Sequence, residues 1–118
     1  MRALLVKLTA GVEQPERCNQ AFTVAATAVA AGADVSVWLT GEAAWLAVPG
    51  RAELELPHAA PLADLVEAVR AGGTLTVCTQ CAARRDITGD DVLTGVRIAG
   101  APTFVEEALT DGVQALVY

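Results

Sequence analysis

The segment GGTLTVCTQC, residues 72–81, is the part of the sequence that most directly indicates the fold. Its glycine pair is typical of the end of a helix. The short apolar run at 74–77 predicts a buried strand that carries Cys78 at its carboxyl end. Residues 79–87 follow as a turn with room for a short helix. Helix, strand and turn in this order form the repeating unit of a parallel sheet.

The same alternation of strand and helix continues on both sides of this segment. Further strands are predicted at residues 3–8, 34–40, 96–99 and 113–117. Helices are predicted at residues 15–31, 41–46, 61–71 and 102–110, with an irregular loop at 47–60. The length of 118 residues suits one domain, residues 1–118. We therefore predict a three-layer α/β/α domain with a five-stranded parallel sheet, of the Rossmann/flavodoxin-like type.

The composition argues against some classes of binding partner and indicates a cellular compartment. Hydrophobic residues make up 53% and aromatic residues only 4% of the chain, so Ala, Val and Leu dominate, as in buried parallel strands. The net charge of −6 argues against nucleic acid or an anionic membrane as a partner. No apolar run approaches the roughly 20 residues of a membrane span, and Lys7 comes too early for a signal peptide. We expect a cytoplasmic protein with reduced thiols.

Three turns are predicted to meet at one edge of the sheet, because ligands and loops gather beyond the carboxyl ends of parallel strands. The first two turns contain the candidate substrate- or anion-binding residues Thr9, Gly11, Thr40 and Gly41, and the third is the turn 78–81. The first turn lacks the glycine pattern and the lysine of nucleotide-binding loops, so no nucleotide cofactor is expected.

Cys78 and Cys81 form a C-x-x-C pair directly after the predicted third strand. The free N–H groups of a following helical turn would favour a thiolate, the reactive form of cysteine. Arg84 and Arg85 would add positive charge and bind an anion, although they also suit surface ion pairs with nearby aspartates. Cysteine pairs of this kind serve redox chemistry, sulfur transfer and metal binding alike, and they also occur as small packed residues.

The segment VCTQCAARRDI, residues 77–87, resembles the cysteine segment of the DsrE family. The turn 9–11, the Ala-rich helix after it and the entry into the second strand at 32–35 extend the resemblance over nearly the whole chain. The resemblance implies a DsrE-like domain that assembles as trimers or hexamers. It also implies a persulfide carrier or sulfurtransferase component, with sulfur donor and acceptor proteins as partners.

The resemblance assigns roles to both cysteines by motif position. Cys78 matches the cysteine that carries the persulfide in sulfur-relay members, and Cys81 matches a second cysteine found in other members. In the hypothesis of sulfur transfer, Cys81 resolves the persulfide. Asp86 occupies a position that is usually glycine in the family. If the backbone there needs a positive φ, aspartate is tolerated less well than glycine, and its carboxylate would offset part of the arginine charge.

Two other functions compete with sulfur transfer. One is a non-catalytic oligomeric module that binds a small molecule or acts as a scaffold, with the cysteines merely packed. The other is a metal-binding protein in which His58, the only histidine, joins Cys78 and Cys81, although a solvated loop histidine is favoured and no metal is assigned. Cys18 is expected to be a buried thiol of the first helix.

An oligomer is expected because the apolar positions of the first helix cover more than one of its faces. A single sheet covers only one side of a helix. A neighbouring subunit is therefore expected to cover the rest.

Overall fold

A parallel sheet forms the centre of the structure, a computed structural model that describes residues 2–118. Its strands are β1 (Ala3–Leu8), β2 (Asp34–Leu39), β3 (Thr74–Cys78), β4 (Arg97–Ala99) and β5 (Val113–Val117). All neighbouring pairs are parallel, in the order β4-β3-β2-β1-β5. The predicted five-stranded parallel fold is confirmed, and the strand order is what the sequence alone does not show.

Helices connect the strands. The four predicted helices have observed bounds within two residues of the predicted ones, and the turn 79–87 contains a shorter helix. The helices are α1 (Pro15–Ala30), α2 (Leu62–Gly72), α3 (Thr79–Arg84) and α4 (Ala101–Ala108), with a 3₁₀ helix at Gly41–Ala47. Proline stands at the start of α1 and within the first turn of α4, where its missing N–H costs no hydrogen bond. No helix among residues 2–118 is long and apolar enough to cross a membrane.

The strand order explains how the helices are distributed over the two faces of the sheet. Because crossovers between parallel strands are right-handed, the direction of each step decides which face its helix covers. From β1 to β4 the chain moves across the sheet in one direction, so α1, α2 and α3 share a face. The step from β4 to β5 runs the opposite way. It places α4 alone on the other face.

The hydrophobic core lies on the face shared by α1 and α2. Alternate strand residues such as Val6, Val37 and Val77 point into it, together with Phe22 of α1. α1 also packs against α2, and a Cβ at Gly72 would overlap the Val29 side chain. α2 of the same chain therefore buries part of the apolar surface of α1 that we expected a neighbouring subunit to bury.

The opposite face is more polar and is covered by α4 through one anchoring residue. Glu107 accepts hydrogen bonds from the Ser36 hydroxyl at 2.6 Å, the Trp38 indole at 3.2 Å and the Arg97 guanidinium at 2.6 Å. Phe104, one turn earlier on α4, packs edge-to-face on Trp38 with ring centroids 5.3 Å apart. α4 is thus held by a charged hydrogen-bond network and one aromatic contact, and none of its residues is fully buried.

Candidate functional site

The turns after β1, β2 and β3 contact one another at the carboxyl edge of the sheet. A Cβ at Gly11 would lie 2.7 Å from the carbonyl oxygen of Glu42, so the first two turns touch through backbone atoms. Gly41 adopts a φ of +56°, which favours glycine. Its amide donates to the Cys81 sulfur at 3.1 Å. The structure therefore brings together the three turns that the sequence analysis singled out.

The two threonines of these turns hold the strand ends. The Thr9 hydroxyl donates to the Tyr118 carbonyl at 2.7 Å, and the Thr40 hydroxyl donates to the Leu8 carbonyl at 2.9 Å. Each hydroxyl hydrogen is thus used inside the chain, and only the oxygen lone pairs remain for a ligand. In the structure both threonines stabilise the edge that carries the cysteines.

Cys78 is the last residue of β3, and its half-buried side chain lies immediately before α3. Burial raises the pKa of the Cys78 thiol, but the amide and thiol of Cys81, the amide of Gln80 and the Lys7 ammonium outweigh it. The pKa is therefore lower than its ordinary value of 9.0. The thiol makes no capping hydrogen bond of standard geometry to the first turn of α3, so the two amides act on the sulfur as dipoles. A larger thiolate fraction at neutral pH follows.

Cys81 lies in the first turn of α3, three residues after Cys78, and is 8% exposed. Its sulfur accepts the Gly41 amide, which leaves its own hydrogen available to Cys78. The Cys81 side chain is one of the groups that lower the Cys78 pKa. The two cysteines therefore differ: one sulfur is half-exposed, and the other is a buried neighbour that supports it.

Arg84 and Arg85 lie in different surroundings. Arg84 is exposed at the end of α3. Arg85 donates to the Cys81 carbonyl at 3.1 Å and lies 3.7 Å from the Glu42 carboxylate, while its Nε is buried without a partner. Arg85 thus connects α3 to the turn after β2.

The cation that lowers the Cys78 pKa is Lys7 of β1. The sequence pattern does not indicate this residue as part of the site. Alternation along β1 turns Lys7 away from the core that contains Val6 and Leu8. That Lys7 approaches a cysteine of β3 depends on the strand order, which no local pattern reveals.

Asp86 adopts a φ of +54°. This is the positive φ that was considered for this position because the family usually has glycine there. The Ile87 amide donates to the Ala82 carbonyl at 2.9 Å, and the Asp86 amide donates to the Ala83 carbonyl at 3.2 Å. These two bonds form a Schellman motif that ends α3, in which the residue at Asp86 is usually glycine. Aspartate occupies a left-handed position here at an energetic cost.

The remaining cysteine and the histidine lie outside this edge. Cys18 is fully buried in the core, and burial, followed by the nearby Glu13 carboxylate, raises its pKa to about 12. His58 is exposed in the loop before α2. Within residues 2–118, no three His, Cys, Asp or Glu side chains are grouped so that they could hold a metal ion. The structure thus does not join His58 to the two cysteines.

The fold and this edge define a class of protein: a parallel-sheet domain with a half-exposed thiol at the end of its third strand. The model of the DsrE/DsrF-like family matches residues 2–117. The chain belongs to the DsrE/DsrF-like family, as the resemblance of the cysteine segment predicted.

Two solved structures share the fold over the full length of both chains. The ychN protein from E. coli superimposes with a TM-score of 0.83 at 15% sequence identity, covering 100% of each chain. MTH1491, a protein of unknown function from Methanobacterium thermoautotrophicum, gives a TM-score of 0.70 at 14% identity, again covering 100% of each chain. At these identities the similarity establishes the fold. No curated protein matches the sequence significantly.

Proposed function

We propose that the protein carries sulfur as a persulfide on Cys78, as a component of a sulfur relay or a sulfurtransferase. One observation carries the proposal: the thiol at the carboxyl end of β3 is half-exposed and has a lowered pKa. Cys18, by contrast, is sealed in the core with a raised pKa. Membership of the DsrE/DsrF-like family supports the same function.

Loading and delivery of sulfur use the same thiolate. The Cys78 thiolate attacks the outer sulfur of a donor persulfide, a new S–S bond forms, and the donor leaves as its thiolate. An acceptor thiolate then attacks the outer sulfur on Cys78, and the Cys78 thiolate leaves. A lowered pKa increases the thiolate fraction in the first step and improves the leaving group in the second.

Cys81 has a resolving role in this proposal. Its sulfur attacks Sγ of the Cys78 persulfide, forms a Cys78–Cys81 disulfide and releases the outer sulfur as sulfide. Atoms and electrons balance without an oxidant, and a cellular dithiol then reduces the disulfide. The support for this role is the position of Cys81 in the first turn after Cys78 and its contact with that thiol.

The proposal includes a compartment and partners. We propose the cytoplasm, where thiols stay reduced, and donor and acceptor proteins that supply and receive the sulfur. We also propose a homo-oligomer, supported by exposed apolar side chains on α4, at its C-cap and on the edge strand β5. These are Val105 at 49%, Leu109 at 78% and Val117 at 68% exposure. Light scattering at micromolar concentration should give a multiple of the chain mass, and a monomer would contradict this part.

Intact mass spectrometry tests the proposal. After incubation with a persulfide donor, the protein should gain about 32 Da, one sulfur atom, that a reductant removes. Cys78→Ser should abolish the gain, while Cys18→Ser serves as the matched control and should keep it. A missing adduct would contradict the proposal and favour a non-catalytic binding or scaffold module. An adduct that survives in Cys78→Ser would contradict the role of Cys78 and place the sulfur on another cysteine.

A further inference from the structure

We propose that Lys7 is the cation of the Cys78 site and that Phe104 of α4 positions its ammonium there. The inference concerns the thiol itself and holds whether or not the protein transfers sulfur. It departs from the sequence analysis, which assigned this role to Arg84 and Arg85.

The register of the sheet places Lys7 across β2 from the strand that carries Cys78. Lys7 pairs with Trp38 of β2, and Trp38 pairs with Thr76 of β3, two residues before Cys78. Residues two apart in a strand point to the same face. Val77 points into the core with Val6 and Leu8, so Cys78 and Lys7 both point toward the α4 face. The backbones of β1 and β3 are about 10 Å apart, and the long stem of lysine spans much of that distance.

An aromatic ring holds the ammonium on this face. Nζ of Lys7 lies 5.4 Å from the centroid of the Phe104 ring, within the range of a cation–π interaction. Phe104 is itself fixed against Trp38, which lies between the strands of Lys7 and Cys78. The lysine head group is therefore positioned by packing instead of moving freely in solvent.

Two other charged residues on this face neutralise each other. Arg97 of β4 and Glu107 of α4 form an ion pair at 2.6 Å, and Glu107 is further occupied by two neutral donors. Within residues 2–118 the salt bridges do not involve Lys7. The titratable groups around the Cys78 sulfur are then the Cys81 thiol from α3 and the Lys7 ammonium from β1. The uncompensated positive charge of Lys7 is left to stabilise a thiolate.

The two arginines are placed for other contacts. The Arg85 guanidinium is directed to the Cys81 carbonyl and the Glu42 carboxylate. Arg84 is exposed at the end of α3, where solvent screens its charge. Arg84 therefore provides a control of the same charge within the same short segment.

The pH dependence of Cys78 alkylation by a neutral reagent, followed by peptide mass mapping, tests the inference. Lys7→Met should shift the profile to higher pH and lower the rate at pH 7 severalfold, with the rate of the full thiolate at high pH unchanged. Lys7→Arg should retain the wild-type profile, and Phe104→Leu should give an intermediate one. Arg84→Met should leave it in place.

Two results would overturn the inference. One is a wild-type profile in Lys7→Met, and the other is an equal shift in Arg84→Met. Lys7→Gln provides a second neutral variant if methionine disturbs folding, and circular dichroism checks that each variant is folded. Loss of persulfide loading with an unchanged alkylation profile would count against the proposed function and leave the role of Lys7 intact.

Discussion

The amide nitrogen of Gly41 lies 3.1 Å from the sulfur of Cys81, so the turn after β2 is attached directly to the cysteine segment after β3. This contact fixes Cys81, whose thiol is one of the groups that lower the pKa of Cys78. The reactivity of the exposed cysteine therefore depends on its buried neighbour.

Cys81→Ala should make Cys78 a weaker nucleophile at neutral pH. The substitution removes the thiol donor and the acceptor for the Gly41 amide, so the Cys78 pKa should rise and stability should fall by about 1 kcal/mol. The pH profile of Cys78 alkylation measures the first effect and urea denaturation the second. Cys18→Ala is the control for loss of a thiol elsewhere and should leave the profile unchanged. An unaltered Cys78 profile in Cys81→Ala would contradict the predicted support.

Cys18 should resist alkylation in the folded protein. It should also make the free energy of unfolding fall as the pH rises above 9. Its folded pKa is raised from 9.0 to about 12, so its contribution is fully present below pH 9 and is lost as the pH rises toward 12. The expected slope in that window is about 1.4 kcal/mol per pH unit. Urea denaturation at several alkaline pH values should show a shallower loss for Cys18→Ala than for wild type. Equal slopes would show that this thiol does not carry the effect.

Glu107 should anchor α4 most strongly at pH values above the ordinary pKa of its carboxyl group. Burial raises the pKa of this carboxyl, but hydrogen bonds from Ser36, Arg97 and Trp38 outweigh it, so the folded pKa lies below 4.5. The stabilisation is present above pH 4.5 and disappears as the pH falls through the folded pKa. Glu107→Gln should cost about 1–3 kcal/mol at pH 7.

Chemical denaturation at neutral and acidic pH separates the charge of Glu107 from its packing. The difference between wild type and Glu107→Gln should shrink at acidic pH, where the wild-type carboxyl is protonated. Glu106→Gln, on the exposed neighbour in α4, should change little at either pH. A difference that stays constant with pH would indicate that the charge of Glu107 is not what holds α4.

Asp86→Gly should stabilise the protein by about 0.5–1 kcal/mol. The residue at position 86 has a φ of +54° within the Schellman motif that ends α3, and glycine adopts this conformation without the strain that a side chain adds. Thermal denaturation measures the gain. Asp90→Gly, at a nearby position without a positive φ, should give no gain, and equal effects of the two substitutions would contradict the explanation.

Local patterns predict most of the fold. Short apolar runs mark the strands, and glycine and proline mark the helix ends, because these signals depend on neighbouring residues alone. The position of Cys78 at a strand end follows from the same signals. Even the positive φ at Asp86 could be anticipated, because the family usually has glycine at this position.

The electrostatics of the site and the burial of the apolar surface of α1 depend on contacts between distant segments. Lys7 and Cys78 are 71 positions apart in sequence, and only the order of β1, β2 and β3 brings them to one face. Arg85 is close to Cys78 in sequence, yet its guanidinium is directed to the turn after β2. The apolar excess of α1 suggested a second subunit because the packing of α2 against α1 is a tertiary contact.

The most direct measurement is a titration of the Cys78 thiol itself, by the ultraviolet absorbance of thiolate across pH in wild type and in Cys78→Ser. The predicted result is an inflection below pH 9.0 that is present in wild type and missing from Cys78→Ser. An inflection for Cys78 at or above pH 9.0 would contradict a thiolate held at the end of β3.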